Sequence, residues 1–217
     1  MTSLPARLGD TRALRFVREP PAEIDAIAIV GSTCAGKTTL VGAIRGSALA
    51  GVHVPRRFVT RPPREGDIPE ETGYMTSAEL DAAIATGTVG IHWARTLEPG
   101  RIEYYAFAVP ARGALAVYSA NNAIYVEGNV RPAGALARAL LVGVFAPEPV
   151  REQRLRARSP ALWRDYPDEA RARLADPADS MGPHVDAIIE NHGALEVVAK
   201  SEMLALICAV AQMRECS

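Results

Sequence analysis

The sequence predicts an α/β fold of three layers, a parallel sheet covered by helices on both faces. Apolar, β-branched runs of strand length alternate along the chain with segments of helical period, the pattern of a parallel sheet with crossover helices. The first such run, Ile24 to Val30, leads through GSTCAGKT into TTLVGAIRG, a helix pattern that closes at Gly46. With 217 residues, 48% of them apolar, the chain can bury one sizeable core and still carry a smaller inserted subdomain.

Taken in order, residues 1–23 read as an N-terminal extension with a short strand at RALRFV. The core starts at Ile24. After the Gly46 helix, VPRRFVTRPPREGDIPEETGYM is punctuated by Pro62, Pro63, Gly66, Pro69 and Gly73, which predicts irregular chain before a short helix at about Ser77 to Ala85. VGIHWAR and EYYAFAVP alternate as strands. NNAIYVEG and LLVGVFA read as buried strands, and PEPVREQRLRARS as a helix. DAIIEN is a further short strand, HGALEVVAK reads as extended, and SEMLALICAVAQM closes the chain as a helix.

GSTCAGKT fits G-x-x-x-x-G-K-[ST], and its place between strand and helix makes the fold that of a P-loop NTPase. The chemistry explains the residue types. Gly31 and Gly36 permit positive φ and close backbone approach to phosphate, Lys37 supplies a compact positive charge, and the Thr38 hydroxyl can ligate Mg²⁺. Ser32, Thr33, Cys34 and Ala35 complete the cradle, Thr39 follows it, and the helix directs its positive N-terminal dipole at the anion. Cys34 reads as a small residue filling a loop position in preference to a redox thiol.

Composition excludes other classes. No apolar run reaches 18 residues, the N-terminus has no signal-peptide pattern, and cysteines at 34, 208 and 216 have neither metal-ligand nor disulfide-framework spacing. The expectation is a cytoplasmic protein, monomer or homodimer, away from membranes. A formal charge of −1 offers no general attraction to nucleic acid, so anion sites must be local. Of 24 basic residues only Lys37 and Lys200 are lysines. Arginine spacing therefore carries the information.

Two arginine clusters stand out. In RRFVTRPPREGD, Arg61 and Arg64, followed by Tyr74, could hold a second phosphate opposite the loop, whereas Arg56 and Arg57 read as solvated surface. In REQRLRARSPALWRDYPDEARARL, Arg151, Arg154 and Arg158 share a helix face, and Arg171 and Arg173 follow a break. These form either a lid closing on a phosphoryl group or a solvent face paired with Glu152, Asp165, Asp168 and Glu169.

From about Ile24 to Ile207 the chain resembles the guanylate kinase superfamily, and within it the ribose 1,5-bisphosphate phosphokinases of phosphonate metabolism. VTRPPREGD with Gly73 and Tyr74 resembles the acceptor-phosphate segment, which implies Arg61, Arg64 and Tyr74 as ligands; EYYAF resembles the segment that adds Tyr105 in preference to Tyr104. QRLRAR and ARARL resemble the lid, which assigns catalytic roles to Arg154, Arg158 and Arg173. IIENHGALEVVA resembles the base loop, with Asn191 contacting adenine. Where guanylate kinases place a guanine-reading glutamate, GIHWAR offers His92, which either contacts the acceptor or packs beside Trp93. Glu127 in AIYVEG is the one acidic residue available on its strand for a substrate- or metal-side role.

The resemblance thus implies a nucleoside-monophosphate-kinase-like domain over residues 24–217, with an acceptor-binding insertion near 55–110 and a lid near 151–175. It implies ATP and Mg²⁺ as cofactors and transfer of the γ-phosphoryl to a phosphate or phosphonate of a small acceptor. Ribose 1,5-bisphosphate leads, ahead of a nucleoside monophosphate. A noncatalytic nucleotide-binding module and a P-loop hydrolase are the rival classes.

Overall fold

The computed structural model describes residues 3–63, 67–69, 71–98, 101–120, 136–175 and 184–215, without the side chains of 95–98 and 101. A six-stranded sheet forms the centre, in the order β1 (Leu14–Phe16), β10 (Ala187–Glu190), β9 (Ala139–Phe145), β2 (Ala26–Val30), β8 (Leu115–Ser119), β3 (Val52–His53). Five strands run parallel, and β1 lies antiparallel along one edge. All five residues of β2 are buried because β8 and β9 flank it, helical residues such as Leu40 and Leu206 cover Ile27 and Ile29 on one face, and Phe107 and Tyr118 join Ala26, Ala28 and Val30 on the other, which is why its sequence reads as an unbroken apolar run.

Helix α2 (Lys37–Gly46) leaves the carboxyl end of β2 and buries Leu40, Val41 and Ile44. The last helix, α7 (Leu195–Glu215), lays Ala199, Met203, Leu206, Ile207 and Val210 against the same side, a stripe of helical period. HGALEVVAK is therefore not extended beyond Gly193. The adjacent valines suggested a strand, but Val197 is 77% exposed while Val198 packs on the core, the division a helix makes.

Residues before Ile24 join this core. Leu4, in α1 (Leu4–Leu8), and Leu14 are buried in it, and the Glu202 carboxylate accepts from the backbone N–H groups of Arg12, Ala13 and Leu14 at 2.6, 2.8 and 2.7 Å.

A second sheet, β5 (Thr72–Tyr74), β4 (Arg57–Val59), β7 (Arg101–Ala108), β6 (Val89–Glu98), is built from the inserted segment. Helix α3 (Ser77–Ala85) closes over one face through Leu80 and Ala83, its start set by a Thr76–Glu79 capping box. The other face turns toward the phosphate loop. The lid region is three short helices, α4 (Glu148–Arg158), α5 (Pro160–Asp165) and α6 (Pro167–Leu174). Ser159 and Tyr166 each precede a proline, which disfavours the helical conformation there and interrupts the helix twice.

Strands β4 and β5 lie in the segment read as irregular, because their partners are each other and β7, far along the chain from β4. Leu115–Ser119 is a buried central strand that the sequence did not mark, since a five-residue apolar run carries no periodicity. NNAIYVEG lies outside the described residues.

Candidate active site

The phosphate loop, residues 31–36, leaves the carboxyl end of β2 at the centre of the sheet, where α/β folds open a crevice between diverging strands. Its two glycines are there for space as well as conformation. A Cβ on Gly31 would stand 2.5 Å from the Val144 carbonyl oxygen, and one on Gly36, at φ 103°, would stand 1.9 Å from Asn191 Nδ2. Cys34 takes a left-handed conformation, φ 63°. Its side chain packs with the lid's apolar cluster around Leu155, Ala170 and Leu174, in agreement with a space-filling role.

Lys37 opens α2, and its ammonium donates to the carbonyl oxygens of Gly31 and, at 2.9 Å, Ser32. Ser32 and Ala35 are buried within the loop, while Thr33, Cys34, Gly36, Thr38 and Thr39 border a cavity of about 570 Å³. A second cavity of about 440 Å³ lies between β4, β5 and the lid helices. Thr38, Arg57, Arg61, Ser119 and Arg158 border both, so the two form one cleft with the loop on one wall and the inserted sheet on the other.

On the sheet side, Arg61 is 7% exposed and forms a bidentate pair with Asp67, Nη1 at 2.6 Å and Nη2 at 2.7 Å. Tyr74 donates its hydroxyl to the same carboxylate at 2.8 Å. Burial opposes the Arg61 charge, but the hydrogen bond and field of Asp67 outweigh it and hold its pKa above the ordinary value. Tyr105 is buried beneath the cleft, stacked on Trp93 with ring centroids 5.3 Å apart, and donates to Glu103 at 2.7 Å. Arg64 lies outside the described residues, as does Glu127.

Three expectations need correction. His92 is exposed and does not border the cleft, because alternation along β6 turns Ile91 and Trp93 inward and His92 away. Trp93 holds the position assigned to it. Asn191, expected at adenine, is 4% exposed and donates Nδ2 to Ala35 O at 2.8 Å, so it braces the loop from below. Arg57, read as solvated surface, is half-buried, donates to Thr72 Oγ1 at 3.0 Å and borders both halves of the cleft. Asp67 and Arg57 lay in the quoted arginine cluster, yet only the β4–β5 pairing brings Thr72 beside Arg57.

The lid arginines divide. Arg151 is buried and donates to Ala146 O and Leu174 O, pinning α4 to the end of α6. Arg154 reaches Cys34 O at 3.0 Å, Asn191 O at 2.7 Å and Glu196 at 2.6 Å, and so ties lid, phosphate loop and the turn before α7 together. Arg173 borders the cleft while paired with Glu169 at 2.5 Å. Arg158, exposed on the last turn of α4, faces the cleft with no hydrogen-bond or ion-pair partner among the described residues.

The buried Arg61–Asp67 pair gives a measurable expectation. Asp67→Ala should lower stability by about 3 kcal/mol, because it strands a buried guanidinium. Urea unfolding in phosphate-free buffer reads this, and a loss under 1 kcal/mol would mean that Arg61 finds solvent on its own.

The solved guanylate kinase of Anaplasma phagocytophilum matches this fold with a TM-score of 0.51 and 11% identity over 87% of each chain. Fold and cleft define a guanylate kinase-like P-loop kinase. A ribose 1,5-bisphosphate phosphokinase PhnN from Pseudofrankia inefficax is 32% identical over 170 residues, 78% of this chain and 83% of that protein, and the chain belongs to its family. A bifunctional ribose 1,5-bisphosphokinase-thymidine phosphorylase from Cupriavidus necator is 32% identical over 171 residues, which are 77% of this chain and 26% of that protein. No protein-family model matches the chain. No helix among the described residues is long and apolar enough to cross a membrane.

Proposed function

We propose that this protein transfers the γ-phosphoryl group of ATP to a phosphate of ribose 1,5-bisphosphate. The observation that carries this reading is the single cleft with the phosphate loop on one wall and the Arg57, Arg61 and Tyr105 surface on the other. The relatives from Pseudofrankia and Cupriavidus, both named for ribose 1,5-bisphosphate kinase activity, support the choice of acceptor.

The loop fits a nucleotide's phosphates, since both its glycines stand where a Cβ would strike neighbouring atoms and Lys37 lies across its concave side. The Thr38 hydroxyl, in the first turn of α2, would hold Mg²⁺, which when bound neutralises charge on the β and γ oxygens. Such an ion keeps most of its ligands as water and phosphate.

In the transfer, an acceptor phosphate oxygen forms a bond to the γ phosphorus as the bond from that phosphorus to the β–γ bridging oxygen breaks. ADP leaves with the bridging oxygen, and the acceptor carries a new diphosphate. No general base is required, because the acceptor phosphate is already ionised. Lys37 steadies the donor, while Arg61 and Tyr105 orient the acceptor. Arg158 and Arg173 close from the lid on the charge that spreads over the transferring group.

Arg158→Ala should lower kcat by on the order of 10³ with little change in ADP affinity, as loss of a lid arginine acting in the transition state. Unchanged turnover would return Arg158 to a solvent role. Steady-state assays with ribose 1,5-bisphosphate, GMP, AMP and small phosphonates test the acceptor. The expected order puts ribose 1,5-bisphosphate at least about tenfold above GMP in kcat/KM, because a wall of arginine donors leaves the N–H donors of guanine unmatched. GMP as the best substrate would overturn the reading in favour of a guanylate kinase.

A further inference from the structure

Among the described residues, seven basic and three acidic side chains border the cleft of a protein whose formal net charge is −1. Most of those cations are already engaged. Arg45 pairs with Glu71, Arg61 with Asp67, Arg154 with Glu196 and Arg173 with Glu169. Arg57 and Arg158 are the cleft arginines with no carboxylate partner among the described residues. Arg158 sits on the lid, on the side of the transferring group.

Arg57 differs in its setting. It projects from β4, which is hydrogen-bonded to β5 on one side and β7 on the other, so its backbone is fixed within the acceptor sheet. Its guanidinium keeps one hydrogen bond, to Thr72 Oγ1 at 3.0 Å, and its Nε is buried without a partner. Burial, followed by the neighbouring charge of Arg61, pulls its pKa below the ordinary value. The nearby acids Asp67 and Glu71 offset this only in part, and neither pairs with Arg57, since Arg61 holds both oxygens of Asp67 and Glu71 is paired with Arg45. A half-buried, preorganised cation beside a second one, with its carboxylate neighbours committed elsewhere, is costly unless a ligand brings negative charge.

We infer that Arg57 is the specificity-determining residue for a second, non-reacting phosphate on the acceptor. This rests on the proposed reading of the acceptor as a bisphosphate. Arg61, with its charge balanced by Asp67, belongs to a clamp that any phosphate ester can use. Arg57 adds the charge that only a doubly phosphorylated acceptor needs, and so separates a sugar bisphosphate from a nucleoside or sugar monophosphate.

The test is equilibrium binding of ribose 1,5-bisphosphate, ribose 5-phosphate and ADP to wild type, Arg57→Met and Arg57→Lys, read by calorimetry, with thermal unfolding as a check on the fold. Wild type should prefer the bisphosphate to the monophosphate by about 30-fold, the range of one charge-assisted contact. Arg57→Met should bring that ratio to within about threefold while changing the affinities for ribose 5-phosphate and ADP by less than about threefold. Arg57→Lys, which keeps the charge without the fork, should hold part of the preference and serves if the methionine variant does not fold. A wild-type preference that persists in both variants would overturn this assignment alone, as would equal weakening of both sugar phosphates. No preference in wild type would overturn the bisphosphate reading and the assignment with it.

Discussion

Lys37→Ala is expected to reduce kcat/KM by about a thousandfold or more while the far-ultraviolet circular dichroism spectrum stays unchanged. The side chain opens α2, lies across the phosphate loop and holds the carbonyl oxygens of Gly31 and Ser32. A preorganised donor aimed at developing phosphate charge is worth about 10² to 10³ in rate, and loosening of the loop adds to this. The structural cost is small. Two hydrogen bonds contribute about 1 kcal/mol each, alanine is the better helix former, and no core volume is removed. Turnover within tenfold of wild type would mean that the loop does not hold the phosphates being transferred.

Gly36→Ala should be as damaging to function and far more damaging to the fold. The residue sits at φ 103° and ψ 14°, which any side chain resists, and the added Cβ would lie 1.9 Å from Asn191 Nδ2 and 3.2 Å from its Cγ. Asn191 cannot swing aside cheaply, because it is buried and its amide satisfies Ala35 O. Arg154 Nη1, 3.6 Å from the added atom, ties the same turn to the lid. Strain and a lost buried hydrogen bond together should cost about 2 to 4 kcal/mol in urea unfolding, with ADP affinity down at least about a hundredfold. Combining Gly36→Ala with Asn191→Ala removes the clash but not the backbone strain. The pair should therefore destabilise by less than the sum of the single changes, and strict additivity would contradict the assigned contact.

The elements with local signals were legible in the sequence. The β2, loop and α2 unit is spelled by an apolar run, two glycines and a lysine, and α3 by the proline and glycine punctuation that ends just before it. The break before Arg171 was read as one, and the short helix α5 that Pro160 and Pro167 bracket within it was not. What stayed hidden depends on partners far along the chain. Asn191 meets Ala35 across 156 residues, and Arg154 meets Cys34 across 120. Spacing along one segment says nothing about such pairs. Arg57 looked like surface because it follows Pro55 and Arg56 at the head of a proline-stiffened, arginine-rich segment, whereas its burial comes from β5, β7 and the cleft. His92 was misplaced by one residue of strand register, enough to send a side chain to the opposite face.

The most direct test of the account follows one atom. ATP labelled at the γ phosphorus is incubated with the protein, Mg²⁺ and ribose 1,5-bisphosphate, and the products are separated by anion exchange. The account predicts stoichiometric unlabelled ADP and label in the terminal position of a new diphosphate on the sugar, with neither product formed by Lys37→Ala. Label released as inorganic phosphate at the same rate with and without the sugar would contradict it, since that result describes a hydrolase with no acceptor site.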